Sequence, residues 1–184
     1  MKTTHGIFGF VIAAVAFCGC DAPLPVMLPE LPLSEVTPYF SEAAEVKAID
    51  TAYYQVHDAE GNKIGTVLLT EPYSATVNGY NGPTPLLIAL DADDRITDVS
   101  PMANQETPRY AQRVADGGLY GAWDGLHVDE ALALEVDAIS GATYTSNGVK
   151  NSLALRLKAY QRQLAKDHSA NPTRSWVKLF KRKP

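Results

Sequence analysis

At 184 residues, 46% hydrophobic and 20% charged, the chain can bury one ordinary globular core and is too short for two comfortable ones. Its net charge of −5 argues against nucleic acid as a partner. Cys18 and Cys20 are its two cysteines, so everything beyond them lacks the thiols for a disulfide, a thiolate zinc site, an iron–sulfur cluster or a CxxCH haem attachment. His5, His57, His127 and His168 lie far apart without HxH or HxxxH spacing, which leaves a local histidine metal site unsupported and no metal expected.

In chain order, Lys2 precedes an apolar run from Ile7 to Phe17. About a dozen residues suit a signal-peptide core, against the ~20 of a spanning helix, so export is expected with residues 1–19 as the signal. The Phe17-Cys18-Gly19-Cys20 end resembles the lipobox of bacterial lipoproteins, with Phe17 where that motif usually has Leu. By that resemblance Cys20 is lipidated and holds the protein at a membrane surface. Asp21 resembles an inner-membrane retention signal, favouring the periplasmic side of the inner membrane, with the outer membrane or cell surface as alternatives. Residues 21–33 carry four prolines in thirteen positions, and residues 20–36 read as an extended tether.

The domain is expected over residues 37–166. Thr37-Pro38 predicts a short helix running through Ala48, with Tyr39, Ala43 and Val46 on its buried face. AYYQVHD and KIGTVLLT around the AEGN turn predict one strand pair, and PLLIALD with RITDVSP around Asp91–Asp94 predicts another, Leu86 to Leu90 being the most buried. Helices are predicted after Thr107-Pro108, ending at Gly117-Gly118, and at Val128 to Leu134. The last and longest carries Val149, Leu153, Leu157, Tyr160 and Leu164 as one apolar stripe. Strands first and helices later indicate an α+β fold, an antiparallel sheet with helices packed on it. Residues 167–184 form a basic tail whose last fourteen positions hold five cations, leaving the remainder at −10; it can rest on anionic lipid or stand solvated.

Before the long helix stands Asp137-Ala138-Ile139-Ser140-Gly141-Ala142-Thr143-Tyr144-Thr145-Ser146. Such small residues open the backbone to something large, and the amides of a helix start favour an anion. Ser140, Thr143, Thr145 and Ser146 add hydroxyls, any of which could take a covalent group; a plain N-cap turn without a ligand is the other reading. A phosphate-loop ATPase is a poor fit, because no Gly-Lys-Ser/Thr ending is present.

Asp137, Ser140, Gly141, Ala142 and Thr143 match every fixed position of a motif of the FMN-binding domain family, shared by the NqrC and RnfG subunits of sodium-pumping and Rnf-type redox complexes and by single-domain flavoproteins. Gly79-Tyr80-Asn81-Gly82-Pro83 resembles that family's Gly-Tyr-x-Gly loop, and Asn104-Gln105-Glu106-Thr107-Pro108 its Glu-Thr-Pro segment. Arg109-Tyr110-Ala111 stands where many members have Gly-Leu-Gly. The resemblance implies FMN joined to Thr143 by a phosphoester, installed by a flavin transferase from FAD with a divalent metal. Asp137, Ser140, Gly141, Ala142 and Thr145 would surround the attachment, and Tyr80, Gly82, Glu106 and Thr107 would contribute from upstream. Tyr80, Tyr110, Trp123 and Tyr144 are candidates to lie against the isoalloxazine or to serve the core.

No strong acid, base or nucleophile constellation accompanies the motif, so an electron carrier with redox partner proteins is expected ahead of an enzyme with its own substrate. A lipid-anchored binding or assembly module of the same fold without flavin, and a small flavin-dependent reductase, are the alternatives.

Overall fold

The structure, a computed structural model, describes residues 28–170, with side chains to residue 166. The signal segment, Cys20, the first part of the tether and the tail beyond residue 170 lie outside the described residues. No helix among the described residues is long and apolar enough to cross a membrane.

Five strands, β1 (Glu45–Ala48), β2 (Tyr53–His57), β3 (Lys63–Leu69), β4 (Leu86–Asp91) and β5 (Ile96–Pro101), form one antiparallel sheet in sequence order. Each pairs with its predecessor, so both predicted hairpins form, and β4 is buried from Leu86 to Leu90. The helices are α1 (Leu33–Val36), α2 (Pro108–Asp116), α3 (Val128–Ala133) and α4 (Thr143–Ala170), with a 3₁₀ turn at Tyr120–Trp123. The architecture is α+β. Helix α4 runs into the first residues assigned to the basic tail.

Both faces of the sheet are covered, which the alternation of side chains makes visible. Leu86, Ile88 and Leu90 point into a large core with Leu68, Tyr53, Trp123 and the α4 stripe of Val149, Leu153, Leu157 and Tyr160. Fully buried side chains of this kind contribute about 1.5–3 kcal/mol each. Leu87 and Ala89 point the other way, into a smaller core with Tyr54, Val56, Val67, Val36 and Phe40.

That second core corrects the expectation for residues 37–48. Thr37 ends the single-turn α1 rather than opening a helix, and Glu45–Ala48 is a strand paired with β2. Glu45-Val46-Lys47-Ala48 alternates polar with apolar, a period-two pattern that sheet pairing completes. Tyr39, Ala43 and Val46 do pack on the core, from irregular chain and strand. Packing begins before position 37, since Leu31 is partly buried there and Val36 fully. Phe40 lies across β3 at Gly65, where an added Cβ would come within 2.2 Å of its ring.

Helix α4 is fastened by polar contacts as well as by its stripe. The buried Arg156 donates from Nε to the Leu69 carbonyl and from Nη2 to that of Ala52, both at 2.9 Å, with its guanidinium 4.6 Å from the Tyr73 ring centre. Burial lowers its pKa, and the facing oxygens and ring favour the cation that an arginine retains. Tyr160 meets Tyr53 edge-on at 5.3 Å and donates to Asp94 at 2.7 Å; burial first, then Asp94, pushes its phenol pKa well up.

Candidate functional site

The Asp137–Thr143 segment is irregular until a turn at Ser140-Gly141 delivers the chain into α4. Gly141 takes φ 76°, the left-handed region that glycine enters without strain. Ser146 fixes the turn from inside: its Oγ donates to the Ala142 carbonyl at 2.9 Å and accepts from the Ile139 amide at 3.1 Å. Ala142 and Ser146 are therefore buried, while Thr143, in the first turn of α4, is exposed.

Across from this helix start lies the Gly79–Pro83 loop, pinched by the Gly79 amide donating to the Gly82 carbonyl at 2.7 Å. It touches α4 through two glycines, since a Cβ on Gly148 would fall 2.8 Å from both the nitrogen and the Cα of Gly79. The buried Glu106 holds the loop from the other side. Its Oε2 accepts from the Tyr80 amide at 2.8 Å, and its Oε1 from the amides of Asn81 at 2.9 Å and Thr107 at 3.0 Å. Asn81 returns a bond from Nδ2 to the Gln105 carbonyl at 2.7 Å. One carboxylate thus clamps the loop to the start of α2. Burial first, and the Glu106 charge second, raise the pKa of the nearby Tyr120 phenol.

Between loop and helix is a cleft of about 260 Å³ lined by Tyr80, Tyr110, Gly141, Ala142, Thr143, Tyr144 and Thr145. Tyr80 and Tyr110 meet edge-on at 4.8 Å. Tyr80 is 58% and Tyr144 72% exposed, so the aromatic walls stand open to solvent. Thr145, which lines the cleft, is 2% exposed, and its buried Oγ1 has no hydrogen-bond partner.

Of the residues singled out in the sequence, Tyr80, Gly141, Ala142, Thr143 and Thr145 come together here, as do Tyr110 and Tyr144. Glu106 and Thr107 stand behind the loop as clamp and as the residue before α2, Gly82 shapes the loop at φ 134°, and Asp137 is exposed upstream of the turn. Ser140 lines a neighbouring depression of about 500 Å³ with Arg109, Gln112, Arg113, Asp116, Gly117 and Ile139. Trp123 takes the second of its two readings: it is buried in the main core and does not line the cleft. Arg113 is a site residue that the sequence did not single out, and it donates to the Ser140 carbonyl at 3.3 Å; an arginine four positions after Arg109, on the helix following Glu-Thr-Pro, was the available signal.

An aromatic cleft thus lies beside a helix start, with small residues at its base and the exposed Thr143 at its edge. Residues 79–158 match the FMN-binding domain family, and this part of the chain belongs to it. Among similar proteins is a component of the Na(+)-translocating ferredoxin:NAD(+) oxidoreductase complex of Acetobacterium woodii, 26% identical over 141 residues. The similarity covers 71% of this chain and 66% of that protein, just under two thirds of its length. The described side chains fit FMN: the unpartnered Thr145 hydroxyl and the α4 amides suit its phosphate, and the tyrosines suit its ring.

Proposed function

We propose that the protein is a membrane-anchored electron carrier outside the cytoplasm that holds FMN by a phosphoester to Thr143. The observation that carries this is the position of Thr143, exposed in the first turn of α4 and lining a cleft walled by tyrosines. A helix start stabilises a phosphate by about 0.3–1 kcal/mol, up to ~2 when partly buried, too little to retain a cofactor. A covalent bond retains it whatever the affinity of the cleft.

At about 260 Å³ the cleft is smaller than the ~300–1,000 Å³ that encloses most of a ligand, so the ring would stay partly in solvent. Bound FMN supplies the exchange of electrons singly or in pairs. The chain's own part is to orient it: Glu106 fixes the Tyr80 loop, Ser146 fixes the turn below Thr143, and Tyr110 backs Tyr80. The relative from Acetobacterium woodii is part of a redox complex, which supports partner proteins in a membrane electron-transfer chain. Within this reading, a flavin transferase matures the protein and acyl chains on Cys20 hold it to the membrane.

Co-expression with a flavin transferase, followed by fluorescence of the denatured band and intact mass, tests the attachment. The wild type should carry one FMN and Thr143→Ala none. An unlabelled wild type, or full labelling of Thr143→Ala, would sink the covalent assignment. The same intact mass, taken from the native membrane fraction, reports acylation at Cys20.

A further inference from the structure

We propose that Arg113, supported by Arg109, is the counter-charge for the phosphate of the flavin, reaching it past the missing side chain of Gly141. The inference rests on the flavin reading of the cleft. Helix α2 sets Arg109 and Arg113 four positions apart, hence on one face, lining the depression of about 500 Å³ on the far side of the Ser140-Gly141 turn. Like charges so placed repel unless an anion lies near them. Among the described residues neither arginine forms an ion pair, and the acid of the depression, Asp116, accepts from Gln112 at 2.7 Å.

Gly141 connects the depression to the cleft. It lines the cleft with Thr143, and an added Cβ would stand 2.4 Å from the Arg113 Nη1. Any side chain at position 141 would push the guanidinium away. Its one hydrogen bond, to the Ser140 carbonyl, is long at 3.3 Å, and a guanidinium has five N–H donors. Around Thr143 thus stand the start of α4, Thr145 with its buried and unpartnered hydroxyl, and, across Gly141, the guanidinium of Arg113. Planar guanidinium pairs with phosphate oxygens two at a time, which a lysine ammonium cannot reproduce.

The test uses Thr143→Ala, where no covalent bond can form, titrated with FMN and with riboflavin at low ionic strength near neutral pH. The two ligands share ring and ribityl chain and differ in the phosphate alone. FMN should bind about tenfold tighter, inorganic phosphate should weaken FMN and spare riboflavin, and adding Arg113→Gln should erase the preference with riboflavin affinity unchanged. Arg113→Lys should keep part of the preference. An FMN preference that survives Arg113→Gln, or equal affinity for the two flavins, overturns the role of Arg113 and leaves the cleft standing. Failure of FMN to bind Thr143→Ala at millimolar concentration overturns the role of Arg113, while the flavin reading of the cleft is tested separately by labelling of the wild type with the transferase.

Discussion

The two faces of the sheet are built from different kinds of chain. On one, α4 lays a regular stripe of Val149, Leu153, Leu157 and Tyr160 along Leu86, Ile88 and Leu90, and this face carries the cleft. On the other, a single helical turn and irregular chain around Val36 and Phe40 cover Leu87, Ala89 and Val67. The same strands serve both, so the difference lies in the cover. The thick side supplies the rigidity that a site at a helix start needs, because the orientation of α4 sets where Thr143 stands.

Substitutions on the two faces should separate accordingly. The largest loss is expected for Leu157→Ala, about 2–5 kcal/mol by chemical denaturation, with flavin attachment reduced as α4 loosens. Gly148→Ala should cost about 1–3 kcal/mol, because its Cβ meets the Gly79 backbone, lowering the melting temperature by several degrees together with flavin loading. Val36→Ala should cost about 1.5 kcal/mol, two buried carbon groups, and leave loading intact. Loading as sensitive to Val36 as to Leu157 would erase the distinction between the faces.

The smallest effect is one of pH, at α3 on the thick side. Glu130 accepts from the His127 amide at 2.8 Å, and that bond, ahead of the charge of Arg95, lowers its carboxyl pKa below the usual value. A lowered folded pKa means that the stabilisation is present above the ordinary glutamate pKa of ~4.3 and disappears as pH falls through the lowered value. Protection of the α3 amides, taken relative to the intrinsic exchange rate at each pH, should fall over that acid range in the wild type and show no such step in Glu130→Gln.

The thick face was largely legible in the sequence, since a helical stripe and the run from Leu86 to Leu90 declare themselves locally. The thin face was not. Thr37-Pro38 has the form of a helix start, and only the pairing of Glu45–Ala48 with Tyr54–His57 shows that the chain goes extended instead. In the site, the turn before α4 was readable from its small residues, whereas the proposal of FMN at Thr143 rests on the family resemblance. What stayed hidden was distance: Glu106 clamps amides twenty-five and twenty-six residues upstream, and Arg113 borders a turn twenty-seven residues downstream. Neither partnership leaves a periodic trace. Trp123 shows the converse, an aromatic whose type suited the ring and whose surroundings are core.

The contact between Gly79 and Gly148 also bears on how the chain can change by inheritance. Every amino acid that a point mutation could substitute for glycine carries a Cβ, and at Gly148 that atom meets backbone, which cannot rotate aside. Changing Gly79 as well would tighten the junction, since its own Cβ would fall 2.2 Å from the Glu106 carboxylate. No compensating pair is open by single steps at these two positions.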